Sequence, residues 1–388
     1  MIIREVRLYP AKIPRKYPFK TSRAVQNSAN GIFIEIVNSD LCLDNEDPGV
    51  SIGTGESAPR KHITGETLEQ TLSELELISN YIIGEEPKYA WELLNHLGFS
   101  PAANLGMEMA LLDLISKQEQ LPLCDFLSNK YDITESKPRI SYCGFANSDA
   151  SGEKFIRSLK RAKKNGFNIV RIKAGELSFD QEYGRISYVR RVLGNDFGLW
   201  LDVNQAWTLE QAKTYVEKFK DLNIMMLEQP LIASDYEGHR KLKEYTNIPI
   251  MLDESVQTGA DLDKTIDMGC ADAVNLKIMK LGSFEETKKQ IKKAKAAGLQ
   301  TYCGATTVTD IFAGFARHIE FALPELDYFT TGKPRSGTFV ENPTQPKLKF
   351  TPLIPYATRP VEKGIGININ HNVLDKYIVK EFGLRCIK

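Results

Sequence analysis

Four apolar runs of this chain end in a charged residue, and the runs recur at nearly constant spacing. Asp202 lies at the end of GLWLDVN, Glu228 in IMMLEQP, Asp253 in IPIMLDES and Lys277 in ADAVNLK, at intervals of 26, 25 and 24 residues. A strand, a helix and two loops occupy about that length, so the spacing predicts a (β/α) barrel that delivers each charged group to one rim. Three acids converging with no His or Cys among them are a hard-ligand set, suited to an octahedral Mg²⁺ because a small doubly charged ion prefers anionic oxygen.

A length of 388 residues, 42% of them hydrophobic, exceeds a bare barrel and allows one large core with a smaller second domain. Fifty basic residues balance fifty acidic ones, so no global field favours nucleic acid or an anionic membrane. The six cysteines, Cys42, Cys124, Cys143, Cys270, Cys303 and Cys386, contain no CxxC pair and read as buried free thiols. The start, MIIREVRLYPAKIP, carries charges where a signal peptide would be apolar, and no run approaches the roughly 18 apolar residues of a membrane span. These features place the protein in the cytoplasm as an expectation.

Residues 1 to about 60 alternate in strand fashion through IIREVRLYPAKI, GIFIEIVN and VSIGTGES, which predicts an antiparallel sheet. The basic segment RKYPFKTSRAVQNSAN between the first two reads as an exposed loop or a lid, and LCLDNEDPGVS as a hairpin turn. From Thr64 the period becomes helical, with a threonine cap before TLSELELISNYII and a second run, NLGMEMALLDLISKQ, whose Met107 and Met109 read as core. These segments form a predicted α+β domain over 1–138. Beyond it, strands at ISYCGFA, IVRIKAG, LWLDVN, MMLEQP, IMLDES, AVNLK, QTYCGA and DYFTTG alternate with amphipathic helices, a barrel count, over 139–365. The segment 366–388 reads as a return to the first domain.

Lys173 ends IVRIKAG two residues after Arg171, so both point to one face of a strand, the barrel interior. Buried cations are costly unless paired, so these two imply an anionic or metal-rich cavity. A carboxylate substrate chelated to Mg²⁺ can lose its α-proton to a lysine because the metal stabilises the enediolate. Burial and nearby cations would lower that lysine towards neutrality. Two lysines on opposite faces of one carbon permit racemisation or epimerisation; one alone supports elimination or cycloisomerisation. The five histidines fall away from the strand ends, His318 inside a helical run, and no nucleotide-binding loop is present.

The ordered motifs RIK, DVN, LEQP, LDES and NLKIMKLG resemble the enolase superfamily, in particular its muconate-lactonizing enzyme subgroup, over nearly the whole chain. That resemblance implies a modified TIM barrel, (β/α)₇β, with an N-terminal α+β capping domain. It further implies Mg²⁺ on Asp202, Glu228 and Asp253, and Lys173 with Lys277 as the acid/base pair. Arg171 stands where the subgroup's first KxK lysine supports the substrate carboxylate. Asn204 and Glu254 match positions flanking the metal ligands. TGESAPRKHITGET resembles a segment common in dipeptide epimerases and PFKTSRA resembles their specificity loop, which implies that Arg23 lies near the substrate's distal carboxylate. Two stretches depart from that group: ELDYFTTG offers only Glu325 and Asp327 for the usual last-strand Asp-x-Asp, and CGATTVTD lacks the usual Glu-Ser.

The resulting expectation is a Mg²⁺-dependent racemase or epimerase acting on a small-molecule carboxylate, a dipeptide above all, and a homo-oligomer that binds neither nucleic acid nor membrane. N-acylamino acid racemase, o-succinylbenzoate synthase-like dehydratase and cycloisomerase are the alternatives within the subgroup. A catalytically silent barrel that binds a small acid is the alternative outside it.

Overall fold

A computed structural model of the chain describes residues 1–21, 24–39, 51–61, 63–134, 137, 139–141, 144–146, 153–304, 308–329, 338–346 and 355–388. The alternating N-terminal runs form strands β1 (Ile2–Thr21), β2 (Ala24–Ser39) and β3 (Ser51–Ser57). They pair antiparallel, and the C-terminal strand Arg385–Ile387 adds to the free edge of β1. The segment read as a loop or lid instead continues the β1–β2 ribbon, with a shift of register between Pro14 and Phe19 and pairing out to Thr21 and Ala24. Its polar sequence misleads because backbone pairing, rather than an apolar face, sustains a projecting ribbon. Arg23 and most of the turn read at 41–51 lie outside the described residues.

Helices α1 (Leu68–Ile82), α2 (Pro87–Leu94), α3 (Pro101–Gln118) and α4 (Leu123–Lys130) cover this sheet. Thr67 caps α1 by accepting from the Gln70 amide at 3.2 Å, which is why the helical period starts there. α3 lies directly on β3 because glycines open the contact: a Cβ on Gly55 would stand 2.3 Å from the Gly106 carbonyl oxygen, and one on Gly53 2.1 Å from that of Ala110. Met107 and Met109 are fully buried in this layer.

The second body is one eight-stranded sheet, parallel throughout and in sequence order: β4 (Arg139–Ser141) stands outside it, and its strands are β5 (Gly144–Ala146), β6 (Ile169–Lys173), β7 (Gly198–Asp202), β8 (Ile224–Glu228), β9 (Ile250–Leu252), β10 (Ala273–Asn275), β11 (Gln300–Cys303) and β12 (Tyr328–Phe329). Helices fill every connection: α5 (Glu153–Lys164), α6 (Phe179–Leu193), α7 (Leu209–Phe219), α8 (Tyr236–Tyr245), α9 (Gly259–Asp267), α10 (Ile278–Leu281) with α11 (Phe284–Ala296), and α12 (Asp310–Phe321). This is the modified (β/α)₇β barrel with an α+β cap. Trp200, Met226, Met251, Ala273 and Tyr302 form a dry layer of their own inside the sheet. Two residues further along the same strands come Asp202, Glu228, Asp253, Asn275 and Gly304, so the period of two stacks a polar floor on an apolar plug.

Buried acids of the cap grip the ends of barrel elements. Glu56 accepts from the Thr309 hydroxyl at 2.6 Å and the Phe312 amide at 3.2 Å at the start of α12, and Glu108 accepts from the Phe284 amide at 2.8 Å at the start of α11. Asp113 holds the amides of Thr54 and Ile365 at 2.9 and 2.8 Å. His318, fully buried on α12, accepts the Cys124 amide on its Nδ1 at 3.1 Å, and burial pushes it down to about 3, so it is a neutral packing residue. Cys124, Cys270 and Cys303 are buried thiols, whereas Cys386 is exposed on the sheet-edge strand, contrary to the reading of all six as buried. Among the described residues no helix is long and apolar enough to cross a membrane.

Candidate active site

The strand ends bring Arg171, Lys173, Asp202, Glu228, Asp253 and Lys277 together on one rim. Lys173 lies in register with Asp202, and Asp202 with Glu228, so three neighbouring strands present their last residues side by side. Lys173 Nζ donates to Asp202 Oδ2 at 2.6 Å and to Asn204 Oδ1. Lys277 Nζ donates to Asp253 Oδ2 at 2.5 Å from the other side. Asn204 completes a short relay by donating to Glu254 Oε1 at 3.0 Å. Of the flanking residues read from sequence, Asn204 and Glu254 thus reach the site.

Arg171 sits deeper, over the plug, with its guanidinium 5.6 Å from the Trp200 ring centre and 5.9 Å from that of Tyr302. It forks onto Glu228 through Nε at 2.7 Å and Nη2 at 2.6 Å, and Nη2 also reaches Asp202 Oδ2 at 2.5 Å. Here the cation is engaged by the acids themselves, because a planar fork matches paired carboxylates better than a point charge.

Asp327 does not reach the rim. It precedes β12, at the opposite end of the barrel, where it pairs with Lys295 at 2.9 Å and accepts the Thr301 amide at 2.7 Å. The Glu-x-Asp spacing was right for one strand face, but the strand begins only after it. Arg23 lies outside the described residues.

Three further residues shape the site. Lys280, only 1% exposed, donates to Asp253 Oδ1 at 3.0 Å and to the carbonyls of Asp253, Val256 and Asn275. Gln229 accepts the Asp253 and Ser255 amides at 2.9 and 3.0 Å and is held in the left-handed region at φ +43°, as is Asn204 at +46°. Asn275 donates to Glu228 Oε1 at 3.1 Å and accepts the Gly304 amide at 2.9 Å. The same-face rule that joins Arg171 to Lys173 would have found Asn275 from Lys277, and one helical turn separates Lys277 from Lys280. Gln229 gives no such signal, since strand alternation sends it away from the rim.

Burial opposes every charge here, and the outcome depends on partners. Arg171 and Lys173 outweigh burial to hold Asp202 below the usual carboxylate range, and Lys277 with Lys280 does the same for Asp253. At Glu228 burial, aided by Asp202 and Asp253, prevails over the pull of Arg171 and pushes it up to about 7. Asp253 and Glu254 outweigh burial to hold Lys277 above its ordinary value, the reverse of the lowering expected for a base, because both acids face it directly.

The donor set suits a hard divalent cation. Asp202, Glu228 and Asp253 are at most 2% exposed, and Asp202 Oδ1 is buried without a hydrogen-bond partner among the described residues. Among the described residues no three acids are gathered into a coordination shell, since each leans on protein cations, Arg171 being shared by Asp202 and Glu228.

A family model described as enolase C-terminal domain-like matches residues 154–373. The chain belongs to that family. It is 30% identical over 311 residues to the hydrophobic dipeptide epimerase of Enterococcus faecalis, covering 78% of this chain and 82% of the relative. It is 26% identical over 392 residues to the N-succinyl-L-Arg/Lys racemase of Bacillus cereus, covering 98% of each. The crystal structure of the latter matches with a TM-score of 0.83 at 24% identity over the full length of both chains. A crystal structure of the Enterococcus faecalis dipeptide epimerase with Mg and L-Leu-L-Tyr matches with a TM-score of 0.79 at 27% identity, covering 95% of this chain and 99% of that one. The enolase superfamily fold and the cap-and-barrel architecture thus agree with the motifs read from sequence.

Proposed function

We propose that this chain is a Mg²⁺-dependent epimerase that inverts the α-carbon of a dipeptide carboxylate. It is an isomerase of the racemase and epimerase kind acting on amino acid derivatives, as its relatives are. In this reading Asp202, Glu228 and Asp253 hold the metal, and Lys173 and Lys277 handle the proton. The observation that carries it is the placement of Lys173 at the end of the second strand and Lys277 just past the end of the sixth in an eight-stranded parallel sheet, on either side of the buried acids.

When bound, Mg²⁺ supplies a Lewis acid that stabilises negative charge developing on the substrate carboxylate. Lys173 reaches the α-carbon from one face and Lys277 from the other. One withdraws the proton to leave an enediolate, and the other returns a proton to the opposite face; the reverse reaction exchanges their roles. Asn204 steadies Lys173 against Glu254, and Arg185 fixes the same lysine's backbone by donating to its carbonyl at 2.5 Å.

Charge balance supports a neutral lysine at the moment of reaction. Asp202, Glu228, Asp253 and Glu254 are matched by Arg171, Lys173, Lys277 and Lys280. A doubly charged metal and one substrate carboxylate add a net positive charge, which favours an ionised Glu228 first and then the release of a proton from one lysine.

An N-acylamino acid racemase is the second reading. Asp327, the sequence's candidate to hold a dipeptide's ammonium, precedes the last strand and is committed to Lys295 and Thr301 at the far end. An uncharged N-acyl group needs no such acid. Proton NMR in D₂O with Mg²⁺ separates the two: loss of the α-proton signal confined to dipeptides supports epimerisation, and loss confined to N-acylamino acids supports the racemase. Silence in both pools overturns both and favours dehydration, cycloisomerisation or a binding role.

A further inference from the structure

Arg171 engages both oxygens of Glu228 and one oxygen of Asp202, the two acids assigned above to the metal. Glu228 Oε1 additionally accepts from Asn275, so this carboxylate has its near lone pairs filled by the protein. The Arg171 side chain is 11% exposed, and its guanidinium is braced from beneath by Trp200 and Tyr302. It cannot shed its charge, unlike a lysine, and cannot drop into the plug below it.

We propose that Arg171 is a resident counter-cation of the Asp202–Glu228 pair, which keeps the metal-free site folded and competes with a divalent ion for the same carboxylates. The first half stands on the contacts alone; the second rests on the metal assignment under Proposed function. Without this guanidinium Glu228 would be buried with no ion-pair partner among the described residues and Asp202 would keep Lys173 alone, which is strongly destabilising for the pair. A divalent ion bound to those oxygens stands beside a fixed positive charge and must draw the acids off it. A lysine at this position, with a compact ammonium, could not fork onto Glu228 and hold Asp202 in the same geometry.

The test compares wild type, Arg171→Lys and Arg171→Met by thermal unfolding in EDTA and by Mn²⁺ titration followed by electron paramagnetic resonance. In EDTA the Met variant should melt about 5 °C or more below wild type, with the Lys variant between them. The Met variant should bind Mn²⁺ about tenfold more tightly than wild type, with the Lys variant again between. Equal melting in EDTA overturns the counter-cation role, and Mn²⁺ binding no tighter in either variant overturns the competition. A Met variant that folds only with Mn²⁺ present supports both halves; if it folds under neither condition, the Lys variant decides each half by the same criteria. Absence of Mn²⁺ binding in all three proteins overturns the metal assignment and the competition with it, while the EDTA melts still judge the counter-cation.

Discussion

Lys280 holds Asp253 twice, through the backbone carbonyl at 2.7 Å and through Oδ1 at 3.0 Å, while Lys277 takes the other carboxylate oxygen. A buried ammonium with four oxygen partners fixes where this acid points. Replacing it by an isosteric apolar chain leaves Asp253 half-paired in the interior. Lys280→Met should lose about 3–5 kcal/mol of stability in urea unfolding. An unchanged midpoint would show that the contact is replaceable.

Lys173→Ala and Lys277→Ala should each lower epimerisation by about 10³-fold or more. Each variant should still exchange the α-proton of one enantiomer in D₂O, and the two should retain opposite enantiomers. Wild-type turnover in both would remove the two-base mechanism.

Burial pushes Glu108 up to about 7, against an ordinary 4.5. The folded state therefore binds this proton more tightly than the unfolded chain. The resulting stability is complete below about pH 4.5 and is lost as pH rises through about 7, a change of at most about 3 kcal/mol. Denaturant unfolding of wild type and Glu108→Gln at pH 5 and pH 8 reads it: wild type should lose stability relative to the variant at the higher pH. Parallel behaviour would show that the acid is ionised throughout.

Asp327→Asn should leave kcat/KM within about twofold on whatever substrate the enzyme turns over. Its half-exposed pair with Lys295 should contribute no more than about 1 kcal/mol. A tenfold rise in KM would return this residue to the substrate.

Gly55→Ala should cost about 3 kcal/mol or more, since the new methyl meets the Gly106 carbonyl rather than a movable side chain. A melting temperature within a degree of wild type would show that α3 can slide on β3.

Much of this was legible because barrel strands repeat. Each of the eight apolar runs became a strand of one sheet, and period-two alternation correctly grouped Arg171 with Lys173. What stayed hidden depends on where strands begin and on how backbones turn. Asp327 has acceptable spacing, yet only the pairing of Tyr302 with Tyr328 shows that its strand starts one residue later. Gln229 acts through a left-handed backbone that no hydrophobic pattern announces. The ribbon beyond Pro14 lacks an apolar face, so composition described it as loop.

The grip of Glu56, Glu108 and Asp113 on barrel backbone has a consequence for how the two bodies could ever be exchanged. Each acid is buried and accepts at least one amide of the other body, while Glu108 and Asp113 also accept from Trp91, Thr54 and Lys117 of the cap. Cutting the chain ahead of Arg139 would leave the starts of α11 and α12 without their acceptors and leave Glu56 and Glu108 on the severed piece without these donors. A chimera joining this cap to a relative's barrel would therefore have to present amides in the same places to these acids.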